Sequence, residues 1–129
     1  MKHLSILALI FSASGVVAAD DPKLAARLAT FNSDIKPIID KSCIGCHGKD
    51  GKKPKAGFNA TTLEGLEKGG NEEGKGITWG DASKSSLYTL SYQGSTARDQ
   101  EKAMPPKKSK SVPLTTDQLA KLKAWIEAK

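Results

Sequence analysis

The sequence predicts an all-α domain. Apolar residues recur at helical spacing near both ends of the chain. The second of these stretches is preceded by a strong helix-start signature. Between them lies a glycine-rich middle with no alternating run long enough to make a strand.

The first 19 residues read as a leader rather than as part of the domain. Lys2 and His3 give a positive start, Leu4 to Phe11 is apolar apart from Ser5, and small residues lead to Val17-Ala18-Ala19. That is the order of a secretory signal peptide, with cleavage expected after Ala19. The apolar core is shorter than the roughly 20 residues a spanning helix needs. No cysteine stands at the cut, so no lipid anchor is indicated. The expected organisation is therefore a signal peptide over 1–19 and one domain over 20–129. The domain would be exported to the periplasm with no stable membrane anchor.

Within the domain, Leu24, Ala25 and Leu28 share a helical spacing after Pro22, which suits a first-turn position. A second helix is expected to start afresh at Ser33, with Ser33 as cap, Asp34 in the first turn and Pro37 early enough to lack only an unpaired N–H. Ile35, Ile38, Ile39 and Ser42-Cys43 form its apolar stripe, and it should end near Gly45 or Gly48. In the middle, Thr61-Thr62-Leu63-Glu64 fits a capping box for a short helix with Leu63 and Leu66 turned inward. A further helix is expected from about Ser83 to Tyr92, capped by Asp81 or Ser83, burying Leu87, Leu90 and Tyr88 or Tyr92. Met104-Pro105-Pro106 reads as a stiff extended loop. The last helix is the best marked. Thr115-Thr116-Asp117-Gln118 is a capping box, Leu114 and Leu119 stand at staple positions, and Leu119, Leu122, Trp125 and Ile126 make one face.

Composition narrows the class of partner. A domain of about 110 residues can bury only about two-thirds of its surface. With aromatics at 5% and 12 glycines over the whole chain, it would gain much from a large apolar group that is not an amino acid. The formal charge is +6. A basic domain suits acidic partners, and its rival reading is nucleic acid. Export and the scattered placement of the lysines weigh against nucleic acid. Lys107-Lys108-Ser109-Lys110 reads as a solvated loop.

The two cysteines of the chain stand in Cys43-Ile44-Gly45-Cys46-His47, which matches the C-x-x-C-H signature of c-type haem attachment. Two thiols at this spacing reach the two vinyl groups on one edge of a haem c and form thioethers. The histidine that follows turns under the ring with its Nε2 towards the iron. The rivals are weaker. A Cys43–Cys46 disulfide closes a very short loop and stabilises little. A thioredoxin-like dithiol expects a strand and helix around it. A structural zinc site needs four ligands, and past the leader the chain offers only Cys43, Cys46 and His47.

A second axial ligand follows by elimination. With His3 in the leader, no second histidine remains, and Met104 is the one methionine of the domain. A thioether from Met104 would raise the haem potential. The alternatives are a methionine that fills a gap in the core, a lysine ligand, or an open site.

The ordered series of motifs resembles the class I c-type cytochromes, and more narrowly the planctomycete-type cytochrome c domain. The matching pieces are Ile35-Lys36-Pro37-Ile38-Ile39, Cys43-Ile44-Gly45-Cys46-His47-Gly48, Gly69-Gly70, and Gly80-Asp81 with Lys84-Ser85-Ser86-Leu87-Tyr88. Met104-Pro105-Pro106, Leu114-Thr115 and Trp125-Ile126 complete it. The resemblance covers about residues 31 to 127. It departs at Trp79, where such domains often carry proline, and in the charged approach Arg98-Asp99-Gln100-Glu101. It implies a class I cytochrome c fold, with N- and C-terminal helices packed beside one covalent haem c, His47 proximal and Met104 distal. Arg98, Trp79 and Tyr88 are further candidates for the haem pocket, as hydrogen-bond donors to the propionates.

The expected function is that of a monomeric, monohaem electron carrier between periplasmic partners, with acidic redox proteins as those partners. No acid–base pair or nucleophile accompanies the motif, so the chain reads as a carrier rather than an enzyme. The alternatives are a haem-based gas or redox sensor and an accessory haem subunit of a larger oxidoreductase.

Overall fold

The computed structural model describes residues 21–48 and 51–129, so the expected signal peptide lies outside the described residues. The chain is helical, and among the described residues there is no strand. Its α-helices are α1 (Pro22–Thr30), α2 (Lys36–Ser42), α3 (Leu63–Lys68), α4 (Ser86–Thr96) and α5 (Thr116–Glu127). None is long and apolar enough to cross a membrane.

The N-terminal helices do not begin separately. Asp21 caps α1 by accepting from the Lys23 N–H at 2.9 Å, and α1 then runs into a π-helical turn, Phe31–Ile35, that leads directly into α2. Ser33 is therefore inside a helical rod and is not a cap. Its hydroxyl donates to Asp34 Oδ2 at 3.0 Å. Pro37 supplies the physical reason. In a regular α-helix its ring would press on the carbonyl four residues back, at Ser33, and it has no N–H to give. The wider turn relieves both problems, and the Lys36 N–H reaches back five residues to the Phe31 carbonyl. The rod keeps going because Phe31, Ile35, Ile38 and Ile39 all bury on one side of it.

Helix α5 follows its sequence signature closely. Thr115 Oγ1 accepts from the Gln118 N–H, and Gln118 Oε1 accepts from the Thr115 N–H at 2.9 Å. Leu119, Leu122, Trp125 and Ile126 are buried, together with Leu114. Trp125 packs at the crossing of the two chain ends: its ring stacks on Phe31 at 5.9 Å, and its Nε1–H donates to the Arg27 carbonyl at 3.1 Å. The main core joins these faces to Leu66 of α3, Leu87 of α4, Ile77 and Ala82.

Two middle elements are shifted from expectation. The cap of α3 is Thr62, which accepts from the Gly65 N–H at 3.1 Å, while the Thr61 hydroxyl donates to Asn59 Oδ1 at 2.7 Å. The helix expected over 83–92 is divided. Asp81 caps a 3₁₀ turn, Ala82–Lys84, the buried Ser85 breaks the run, and α4 then extends to Thr96. Tyr92 is 49% exposed and is not part of the buried side.

Candidate functional site

Helix α2 ends where the cysteine motif begins. The Cys43 and Ile44 N–H groups both donate to the Ile39 carbonyl, at 2.8 and 3.2 Å. The Cys46 and His47 N–H groups then donate to the Cys43 carbonyl, at 3.3 and 3.1 Å. The motif is thus one tight turn folded on Cys43, and Cys43, Cys46 and His47 all line the same cavity. Gly48 leaves this turn with φ +129°, a conformation that a side chain would strain.

The returning segment orients the histidine. Lys55 N–H donates to the Cys46 carbonyl at 3.0 Å, and Ala60 N–H donates to the His47 carbonyl at 2.8 Å. His47 Nδ1 lies 3.1 Å from the Lys55 carbonyl, so it carries the proton and donates it there. That hydrogen bond selects the tautomer whose Nε2 lone pair is free. Phe58 meets the imidazole edge-on at 5.1 Å and holds its plane. Burial lowers the His47 pKa, which favours the neutral, ligating form, while the bond to Lys55 acts in the opposite sense.

Met104 lines the cavity as well. Its N–H donates to the Leu90 carbonyl of α4 at 3.0 Å, and its bond to Pro105 is cis. Gly94, one turn further along α4, faces the Met104 carbonyl so closely that a Cβ at position 94 would collide with it. The cavity measures about 270 Å³, and Phe58, Leu87, Leu90, Pro105 and Leu114 are among the apolar residues that wall it.

This donor set fits a haem c and fits its rivals poorly. Both cysteines are free thiols. Burial pushes the Cys43 thiol up to about 12, which favours its protonated form, and among the described residues there is no strand to frame a thioredoxin-like dithiol. Among the described residues no group of three or more His, Cys, Asp or Glu could hold a bare metal ion. What the cavity does bring together is two thiols, an oriented imidazole and a thioether, within apolar walls that suit a macrocycle.

The three further pocket candidates each make contacts away from the cavity walls. None of Arg98, Trp79 and Tyr88 lines the cavity. The Trp79 Nε1–H donates to Glu67 Oε1 at 2.8 Å, its ring meets Trp125 at 5.0 Å, and Arg27 lies over its face at 4.1 Å. Tyr88 pairs with Tyr92 at 6.1 Å along α4. Arg98 turns to main-chain carbonyls of the loop after Met104. The polar groups that do line the cavity include Lys102, ion-paired with Glu73 at 2.6 Å. Sequence reasoning missed Phe58, Gly94 and Lys102. Only Gly94 carried a local signal, as a glycine inside a helical stretch.

No curated protein and no solved structure matches the chain. A family model, described as planctomycete cytochrome C, matches residues 43–108, which run from the first cysteine of the motif past Met104 and its two prolines. With the motif, the helical fold and this match in agreement, the chain belongs to the planctomycete cytochrome C family.

Proposed function

We propose that this protein is a monohaem electron carrier of the periplasm. In this reading one haem c is attached through Cys43 and Cys46, with His47 and Met104 as axial ligands. The observation that supports it best is the convergence of these four side chains on a single cavity. A bound haem would supply a one-electron couple. The chain's own residues would tune and protect it. Lys55 holds the His47 proton on Nδ1, Phe58 fixes the ring, and Leu87, Leu90 and Leu114 keep water from the walls. The thioether of Met104 would favour the reduced state and so raise the potential.

The formal charge of +6, one unit of which is Lys2 in the expected leader, favours acidic redox proteins as partners. Association with them should slow as salt rises, since the Debye length shrinks from about 30 Å at 0.01 M to about 10 Å at 0.1 M.

A redox titration of the haem-loaded protein beside Met104→Ala tests the reading. Loss of the thioether should lower the potential and open the ferrous form to carbon monoxide. Equal potentials and equal closure to carbon monoxide in the two proteins would remove Met104 from the iron.

A further inference from the structure

We propose that Arg98 is the positioning residue that keeps the Met104 thioether at the iron, by pinning the loop that follows Met104 into one conformation. The inference rests on the reading of Met104 as an axial ligand.

The guanidinium reaches four carbonyls of that loop. Nε donates to Pro105 O at 3.3 Å, and Nη2 is shared among Pro106 O at 3.1 Å, Ser109 O at 3.3 Å and Ser111 O at 2.9 Å. The loop's other side-chain contacts are an exposed ion pair from Lys107 to Asp99 and a hydrogen bond from the Ser111 N–H to Ser109 Oγ at 3.0 Å. Pro105 and Pro106 have no N–H to donate. Within the segment the main chain adds one turn, from Ser109 N–H to Pro106 O at 2.9 Å. Yet Pro105, Pro106, Ser109 and Ser111 line the cavity beside Met104, so the path of this loop decides where the thioether stands.

The same helix anchors Met104 from the other side. Leu90 accepts its N–H, Gly94 admits its carbonyl, and Arg98 takes the carbonyls that come after. These three contacts follow one another at four-residue intervals along and just beyond α4. Among the described residues Arg98 has no carboxylate partner within ion-pair distance, so its donors are directed to main-chain oxygens. Only the planar fork of arginine can bridge several carbonyls at once. Lysine keeps the charge and loses that geometry.

The test uses the haem-loaded full chain and four variants: Arg98→Lys, Arg98→Ala, Met104→Ala and Trp125→Phe. Each ferric protein is titrated with imidazole while the long-wavelength thioether-to-iron charge-transfer band is followed. Both Arg98 variants should bind imidazole on the order of tenfold more tightly than the unsubstituted protein, with a weakened band. Met104→Ala should lack the band and bind more tightly still. Trp125→Phe lowers stability away from the cavity and should leave both readouts unchanged, which separates positioning from general loosening. If Arg98→Ala does not fold, Arg98→Lys carries the test. Unchanged imidazole affinity in the Arg98 variants, alongside an altered Met104→Ala, overturns the clamp alone. An unaltered Met104→Ala removes the ligand reading, and the clamp with it.

Discussion

The carbonyl of Met104 lies against the Cα of Gly94, on the helix whose Leu90 carbonyl accepts the Met104 N–H. Two effects compete at this glycine. Alanine is the better helix former by about 1 kcal/mol. Against that, its Cβ must displace a backbone carbonyl, and overpacking a close contact costs about 1–3 kcal/mol. Gly94→Ala should therefore be less stable in urea and should carry a weakened thioether-to-iron band. A variant that gains stability and keeps its band would show that the loop moves away freely.

Trp125 ties the two ends of the chain without touching the cavity. Its Nε1–H reaches the Arg27 carbonyl, and its ring lies between Phe31 and Trp79. Trp125→Ala should cost about 3–5 kcal/mol by leaving a void. Trp125→Phe keeps most of the ring and loses the hydrogen bond, for about 1 kcal/mol. Thermal unfolding measures both. The haem potential of Trp125→Phe should match that of the unsubstituted protein, because Trp125 acts on the fold and not on the donor set.

The capping box of α5 gives a smaller and cleaner effect. Thr115→Ala removes the acceptor for the Gln118 N–H on an exposed helix end, for about 1 kcal/mol. The urea midpoint should fall with little change in slope, since the surface exposed on unfolding is nearly the same.

What was legible in the sequence divides by the range of the interactions. Helix α5 could be read residue by residue because a cap, a staple and an apolar stripe are all local. The cysteine motif was legible for the same reason, and Met104 stood out as the one methionine past the expected leader. The π-turn was not. Pro37 argues for a break at Ser33, and only the joint burial of Phe31, Ile35, Ile38 and Ile39 explains why the rod continues. The α3 cap moved by one residue, with the Thr61 side chain turned to Asn59, which carries no helix-start signal of its own. The contacts of Arg98 were not legible because its partners are main-chain oxygens, which every residue possesses and no motif advertises. The hydrogen bond of Trp79 was not legible because its acceptor, Glu67, belongs to a different element.

The turn that leads into α4 makes the stability sensitive to acid. Asp81 Oδ1 accepts from the Ser83 hydroxyl at 2.5 Å and from the Lys84 N–H at 3.3 Å, and Oδ2 lies 3.1 Å from Lys84 Nζ. The Ser83 hydrogen bond, then those with Lys84, hold its carboxyl below the ordinary aspartate value. A carboxyl lowered in the folded state stabilises fully above its unfolded pKa of about 3.9. Below that, the unfolded chain takes up a proton first, and the contribution fades until the folded carboxyl is protonated too. The same turn sets Ser85, buried and donating to the Asp81 carbonyl at 2.8 Å, at the start of α4. Asp81→Asn should therefore be less stable than the unsubstituted protein at neutral pH, and the gap should narrow as pH falls through the aspartate range. Paired urea titrations at neutral pH and at a pH below about 3 read the difference directly. A gap that stays constant across that range would mean that Asp81 acts through geometry shared with asparagine and not through its charge.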